Sequence, residues 1–150
     1  MTNRNAGQPM RYFYERKVSE YMTRQIVYCD ARTTLREAEA LFARHDFNSF
    51  PVMENGKLIG VFSKFDFMRA FAFTEEHPLP DYRTIMAGAV RDFMREEMFT
   101  TDPDMPLTRV LQKMVERRTR SLPVVSEGRL VGVISREDVM KALAESTPRS

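Results

Sequence analysis

The chain has 150 residues, of which 43% are hydrophobic and 29% are charged, as in ordinary globular domains. Its formal net charge is only +2 and no long basic run occurs, so neither nucleic acid nor an acidic membrane surface is expected as a partner. No apolar stretch is long enough to cross a bilayer, and the polar N-terminus lacks the apolar core of a signal peptide. Cys29 is the one cysteine, so no disulfide can form within the chain, and a cytoplasmic location is the default expectation.

An internal repeat organises the sequence. Residues 18–72 align with residues 90–144 without a gap. The densest match joins SFPVMENGKLIGVFSKFDFMRA, which begins at Ser49, to SLPVVSEGRLVGVISREDVMKA, which begins at Ser121. We therefore expect an N-terminal tail (1–17), a first repeat (18–72), a linker (73–89), a second repeat (90–144) and a C-terminal tail (145–150).

Each repeat begins with a pattern typical of a short strand followed by a helix. The strand of the first repeat is predicted over residues 26–28. The helix is predicted to start near Thr34, with Thr33 or Thr34 as its N-cap, because apolar residues then recur at helical spacing. In the second repeat, Pro106 stands where a proline in the first helical turn belongs.

A hairpin and a final helix complete each repeat. The first hairpin is predicted over residues 50–62 around Asn55-Gly56, a dipeptide that favours two-residue hairpin turns because both residues tolerate a positive φ. The second turns at Glu127-Gly128. The final helices are expected near residues 63–71 and 135–143, and a further short helix is expected just before Val90.

Two copies are expected to stabilise each other, since a unit of this size buries little apolar surface alone. The strands LIGVF and LVGVI are nearly continuous apolar runs, as in strands that are covered on both faces. We therefore predict an α+β fold in which two β-α-β-β-α repeats pack sheet to sheet about a pseudo-twofold axis. Gly60 and Gly132 interrupt these runs and would let a backbone or a ring approach closely.

The end of each hairpin carries a Ser-x-x-Asp motif, Ser63 to Asp66 and Ser135 to Asp138. At a helix start, free backbone N–H groups and the helix dipole favour anions, and a serine hydroxyl can donate to a phosphate oxygen. The carboxylate can accept hydrogen bonds from the two hydroxyls of a ribose. The alternative is that these residues only cap their helices, since serine and aspartate are preferred caps in any protein.

With GVFSKFD at Gly60 and GVISRED at Gly132, the chain resembles a tandem pair of CBS domains, named after cystathionine β-synthase, over residues 18–144. The resemblance implies the repeat order given above, frequent homodimers and the binding of adenosine-type ligands. The candidates are AMP, ADP, ATP, S-adenosylmethionine and NAD(H), with no cofactor required. It also implies a stand-alone regulatory module, for example an energy sensor, that signals to an unidentified partner protein.

The family's geometry, carried over by position, groups each motif with segments of the opposite repeat. Ser135 and Asp138 would share one site with Met22, Gln25, Val27, Phe47 and Asn48. Ser63 and Asp66 would share the other with Met94, Glu97, Phe99, Thr119 and Arg120. In each site the apolar residues would sandwich a base, and only the second has Arg117, Arg118 and Arg120 nearby for phosphate.

Two other functions are considered. One is a dimerising scaffold that keeps the fold without using a ligand. The other is an enzyme, which the sequence disfavours because it contains no nucleophile–base pair, metal-ligand spacing or Walker-type phosphate loop.

Overall fold

The computed structural model describes residues 8–73, 75–76 and 79–146, and these form the α+β fold expected from the sequence. Leaving aside one 3₁₀ turn at Val90–Asp92, the elements in chain order are α1 (Gln8–Tyr14), α2 (Val18–Tyr21), β1 (Cys29–Asp30), α3 (Leu35–Arg44), β2 (Ser49–Glu54), β3 (Lys57–Ser63), α4 (Lys64–Arg69), α5 (Tyr82–Met86), α6 (Leu107–Arg117), β4 (Ser121–Ser126), β5 (Arg129–Ser135) and α7 (Arg136–Glu145).

These elements form two compact units. The central unit contains residues 27–98, and the terminal unit combines the described residues up to 26 with those from 99 onward. The first part of each repeat therefore lies in one unit and its remainder in the other. Among the described residues, no helix is long and apolar enough to cross a membrane.

Each unit is built on an antiparallel hairpin. In the central unit β2 pairs with β3, and β1 adds a parallel strand in which Cys29 lies opposite Val52. In the terminal unit β4 pairs with β5, and Thr101 forms a parallel bridge to Val124 in the place that β1 occupies in the central unit. The predicted first strand of residues 26–28 thus lies slightly later in the chain, at Cys29–Asp30.

The two hairpin turns have the predicted geometry. Asn55 and Gly56 have φ values of 51° and 77°, and Glu127 and Gly128 have φ values of 50° and 76°. Positive φ at both central residues matches the right-handed twist of the flanking strands. Asparagine and glycine adopt this conformation readily, whereas a glutamate pays a steric cost there.

Replacing Glu127 with the asparagine found in the other hairpin should stabilise the protein. Because asparagine tolerates a positive φ, we expect Glu127→Asn to raise the free energy of unfolding by up to about 1 kcal/mol. Urea denaturation followed by circular dichroism measures this change. The reverse exchange, Asn55→Glu, is the matched control and should destabilise by a similar amount; equal stability of both variants would contradict the prediction.

The helix termini largely follow the sequence. Thr34 caps α3, and its hydroxyl oxygen accepts a hydrogen bond of 3.1 Å from the backbone N–H of Glu37, as predicted for one of the two threonines. Pro106 is the N-cap of α6 rather than a residue of its first turn, because its ψ of 140° is extended. The short helix expected before Val90 is α5.

The N-terminal segment contributes more than the sequence indicates. Phe13 on α1 is completely buried in the core of the terminal unit. Next to it, the Tyr21 hydroxyl donates a short hydrogen bond to the Glu145 carboxylate and lies 2.7 Å from the Tyr12 hydroxyl. Burial, followed by the hydrogen bond to Glu145, raises the pKa of Tyr21. The segment assigned as an N-terminal tail (1–17) thus contains α1; residues 1–7 of that tail and residues 147–150 of the C-terminal tail lie outside the described residues.

The core of the central unit surrounds β1 and the hairpin. It contains the fully buried Phe50 and Phe62 together with Cys29. Burial raises the pKa of the Cys29 thiol to about 12, which keeps the thiol protonated and unreactive at neutral pH. This agrees with a packing role for the cysteine.

Candidate functional site

In the central unit, the Ser63–Asp66 motif forms a capping box at the start of α4. The Ser63 hydroxyl oxygen accepts a hydrogen bond of 3.0 Å from the Asp66 N–H, and Asp66 Oδ2 accepts one of 2.9 Å from the Ser63 N–H. The Ser63 hydroxyl also donates to Oδ2 at 2.8 Å. The capping role considered for this motif is therefore confirmed, and one carboxylate oxygen is fully used within the chain.

The other carboxylate oxygen of Asp66, Oδ1, accepts hydrogen bonds from two arginines. Arg95 Nε donates to Asp66 Oδ1 at 3.0 Å, and Arg69 donates to the same atom at 3.1 Å. The Asp66 side chain is 1% exposed, whereas those of Arg69 and Arg95 are 48% and 53% exposed. The Arg95 guanidinium also lies 5.5 Å from the centre of the Phe65 ring. Asp66 is thus a buried carboxylate whose charge is compensated by two half-exposed cations.

In the terminal unit, the Ser135–Asp138 motif forms a second capping box at the start of α7. Asp138 Oδ2 accepts hydrogen bonds from the Ser135 N–H at 2.8 Å and from its hydroxyl at 3.0 Å, and the Asp138 N–H donates to the hydroxyl oxygen at 3.3 Å. Capping is confirmed here as well. In contrast to Asp66, Asp138 is only partly buried, and its Oδ1 accepts no hydrogen bond from any described residue.

In each unit a short crossing segment lies against the second strand of the hairpin. It consists of residues 94–95 in the central unit and residues 22–23 in the terminal unit. Arg95 exchanges two backbone hydrogen bonds of 3.0 Å with Val61 in the central unit, and Thr23 exchanges bonds of 2.8 Å and 3.0 Å with Val133 in the terminal unit. The two segments occupy aligned positions of the two repeats. A backbone therefore approaches each strand glycine, as the sequence led us to expect.

Close packing of this segment requires the glycines. A Cβ atom on Gly60 would lie 2.5 Å from the Arg95 carbonyl oxygen and 2.9 Å from Met94 Sδ. A Cβ atom on Gly132 would lie 2.9 Å from both Met22 Sδ and the Thr23 carbonyl oxygen. The structure thus brings two predicted site residues, Met22 and Met94, to the strand that leads into a Ser-x-x-Asp motif.

The segment before each hairpin lies at the start of the final helix. The Asn48 carbonyl accepts a hydrogen bond of 2.9 Å from the Lys64 N–H, and the Arg120 carbonyl accepts one of the same length from the Arg136 N–H. Arg136 Nε also donates to the Thr119 carbonyl at 2.9 Å. The Thr119 hydroxyl oxygen is buried and has no hydrogen-bond partner among the described residues.

Two predicted aromatic residues each contact a side chain of their own unit. In the central unit, Phe47 is 40% exposed and stacks on His45 with ring centres 5.7 Å apart. In the terminal unit, the Arg117 guanidinium lies 4.5 Å from the centre of the Phe99 ring, a geometry that favours a cation–π interaction. Arg117 is therefore held on an aromatic face within its own unit.

The predicted site residues divide between the units. The terminal unit contains Ser135 and Asp138 with Met22, Gln25, Phe99, Thr119 and Arg120. The central unit contains Ser63 and Asp66 with Val27, Phe47, Asn48, Met94 and Glu97. The grouping of residues from both units into shared sites stays a prediction.

The sequence analysis did not identify the two arginines that donate hydrogen bonds to Asp66. Arg95 aligns with Thr23, and Arg69 aligns with Lys141, so the asymmetry is visible in the repeat alignment. Arg95 is distant from Asp66 in the sequence, so nothing local indicates that the two meet. Arg69, in contrast, is three residues beyond Asp66 on α4, and helical spacing indicates that contact. Among the described residues, no group of acidic, histidine or cysteine side chains could hold a metal ion.

Comparisons with known proteins support the tandem repeat. The family model of the CBS domain matches residues 18–73 and 90–145. An uncharacterised protein of Methanocaldococcus jannaschii is 35% identical over 132 residues, which cover 87% of this chain and 45% of that protein. The CBS domain-containing protein YhcV of Bacillus subtilis is 28% identical over 123 residues, 81% of each chain. The chain thus spans less than half of the first relative and most of the second.

Solved structures share the fold. A Methanocaldococcus jannaschii protein described as a putative archaeal homologue of the AMPK γ subunit superposes with a TM-score of 0.80 at 22% identity, over 91% of this chain and 51% of the other. CBSX2 in complex with AMP gives 0.74 at 23% identity, over 86% and 96%. A CBS domain pair from Methanocaldococcus jannaschii in complex with 5′-methylthioadenosine and S-adenosyl-L-methionine gives 0.73 at 21% identity, over 88% and 98%. At these identities the likeness shows the fold alone.

Proposed function

This chain belongs to the CBS domain family, and we propose that it is a regulatory module that binds an adenosine-type nucleotide. The observation that carries the proposal is the carboxylate of Asp138. It stands beside Ser135 at the start of a ten-residue helix, and its Oδ1 has no protein partner among the described residues. An unpaired, partly buried carboxylate oxygen suits a ligand that brings two hydroxyl donors, as a ribose does.

The terminal unit, which contains Asp138, also contains side chains suited to the other parts of such a ligand. Met22 and Phe99, both in the terminal unit, supply apolar and aromatic surface of the kind on which a base packs. Arg117 and Arg120, which the family geometry groups with Ser63 and Asp66, lie in the same unit as Asp138 and carry positive charge suited to a phosphate. Complexes of two family members, one with AMP and one with 5′-methylthioadenosine and S-adenosyl-L-methionine, support adenosine compounds as the ligand class.

The regulatory role is part of this proposal. Serine, aspartate and arginine side chains, arranged as caps and ion pairs, can bind a nucleotide without activating a nucleophile. The regulated partner, energy sensing and a cytoplasmic location belong to the same proposal. Homodimer formation does too, and the exposed side chains of Phe65, Met68 and Met140 offer apolar surface for it.

A ligand-independent scaffold is the second candidate function. The capping boxes favour it, because both motifs already satisfy their own helix ends without a ligand. Under this alternative the serines and aspartates serve stability alone. The two functions differ in whether any nucleotide binds to the folded protein.

A thermal-shift titration separates the two functions. A ligand that binds only the folded state stabilises it by mass action, by about 2.7 kcal/mol at one hundred times its Kd. For a chain of this length this corresponds to a rise in Tm of about 5–10 °C. We expect such a rise with at least one of AMP, ADP, ATP, S-adenosylmethionine and NADH, and none with GMP as the matched control. An unchanged Tm with every adenosine compound at millimolar concentration would favour the scaffold.

A further inference from the structure

The two Ser-x-x-Asp motifs have the same sequence pattern but differently occupied carboxylates. Both aspartates use Oδ2 for their capping box. Oδ1 of Asp66 accepts hydrogen bonds from Arg69 and Arg95, whereas Oδ1 of Asp138 accepts none from any described residue. A ligand hydroxyl therefore meets competition at Asp66 that it does not meet at Asp138.

The difference comes from two pairs of aligned residues that lie at equivalent backbone positions in the two units. Arg95 and Thr23 occupy the same place in the backbone ladder, each paired with the valine that follows the strand glycine. Arg69 and Lys141 are each three residues beyond the motif aspartate, on α4 and α7. Threonine is too short to take the place of Arg95, and no hydrogen bond or ion pair of Lys141 reaches Asp138 in the described part of the chain.

Displacing the arginines from Asp66 is costly. The carboxylate is 1% exposed, so its charge depends on the two guanidinium groups for compensation. Charged hydrogen bonds of this kind are stronger than those that a neutral ribose hydroxyl can offer in exchange. A neutral hydroxyl thus cannot replace Arg95 and Arg69 without leaving the buried charge poorly compensated.

We propose that Arg95, together with Arg69, closes the Asp66 motif to ribose, so that the chain binds one adenosine nucleotide, through Asp138. This proposal rests on the proposed function, and it assigns Arg95 as the residue that makes the two repeats unequal. Asp66 then serves as an internal anchor for two arginines, and Asp138 alone serves as the ribose acceptor.

The proposal is tested by exchanging Arg95 and Arg69 with the aligned residues of the other repeat, Thr23 and Lys141. Isothermal titration calorimetry with AMP should give one nucleotide per wild-type chain. Thr23→Arg with Lys141→Arg supplies Asp138 with the partners that Asp66 has, and should weaken AMP binding about 10- to 100-fold. Thr23→Met with Lys141→Met is the matched control, because methionine has the length of the arginine stem without its charge, and it should keep the wild-type affinity.

The reverse exchange, Arg95→Thr with Arg69→Lys, gives Asp66 the partners of Asp138 and should raise the count to two nucleotides per chain. If this variant does not fold, the exchange at Thr23 and Lys141 decides the question alone, because it adds partners to a carboxylate instead of removing them. Two nucleotides per wild-type chain, equal loss of binding in the arginine and methionine variants, or a count of one in a folded Arg95→Thr/Arg69→Lys variant would overturn the proposal. The absence of AMP binding together with a negative thermal-shift panel would instead refute the proposed function itself.

Discussion

Asp66→Asn is expected to lower the free energy of unfolding by about 2–4 kcal/mol, against about 1 kcal/mol for Asp138→Asn. The two variants remove the same charge from the same position of a capping box. Only Asp66, however, is fully buried and accepts hydrogen bonds from two guanidinium groups. The arginines are half-exposed and regain water when the carboxylate is lost, so the upper range of values for buried ion pairs does not apply.

Urea denaturation followed by circular dichroism measures this difference, since the chain contains no tryptophan for fluorescence. Asp138→Asn is the internal control, because it changes the capping box in the same way without touching an arginine. The urea concentration at the midpoint of unfolding should fall much further for Asp66→Asn than for Asp138→Asn. Equal losses would mean that Arg69 and Arg95 contribute nothing to stability beyond the cap.

Gly60→Ala is expected to destabilise the protein by about 2–3 kcal/mol. The new Cβ atom would lie 2.5 Å from the Arg95 carbonyl oxygen, a distance that no unstrained contact allows. This oxygen accepts the Val61 N–H, so relief of the clash requires the backbone pair to separate. A flexible side chain could move aside at little cost, but here the obstacle is a hydrogen-bonded backbone.

Two further variants make the measurement specific. Gly132→Ala should destabilise in the same direction but by less, because the nearest backbone atom, the Thr23 carbonyl oxygen, is 2.9 Å away. Lys57→Ala, at an exposed position of the same strand as Gly60, should change stability by no more than about 0.5 kcal/mol. If Gly60→Ala were as mild as Lys57→Ala, the close approach of the crossing segment would be refuted.

Local features of the chain were predictable because their causes are local. The hairpin turns follow from Asn55-Gly56 and its aligned Glu127-Gly128, since only certain residues adopt a positive φ cheaply. The start of α3 follows from the side chain of Thr34. The repeat itself is visible in the gapless alignment of residues 18–72 with residues 90–144. The family model matches residues 18–73 and 90–145.

Non-local features escaped prediction. Residues 1–17 are assigned as a tail from the sequence, yet Phe13 within them is completely buried, because the surface that covers it comes from the far end of the chain. The first strand was placed too early, since strand limits depend on pairing partners and not on propensity alone. For the candidate site, the motif residues and their capping alternative were found, but their electrostatic partners were not.

The order of residues is enough to establish a tandem α+β repeat of the CBS domain family, with a serine and an aspartate at the start of each final helix. The folded structure shows that Oδ1 of Asp66 is paired with arginines, whereas Oδ1 of Asp138 accepts no hydrogen bond from any described residue. The two motifs read alike, but Arg95 reaches Asp66 through a backbone ladder that joins distant parts of the chain. The threonine at the aligned position is too short to do the same. Hydrogen bonding of a buried charge depends on distance in space, and the order of residues does not reveal that distance.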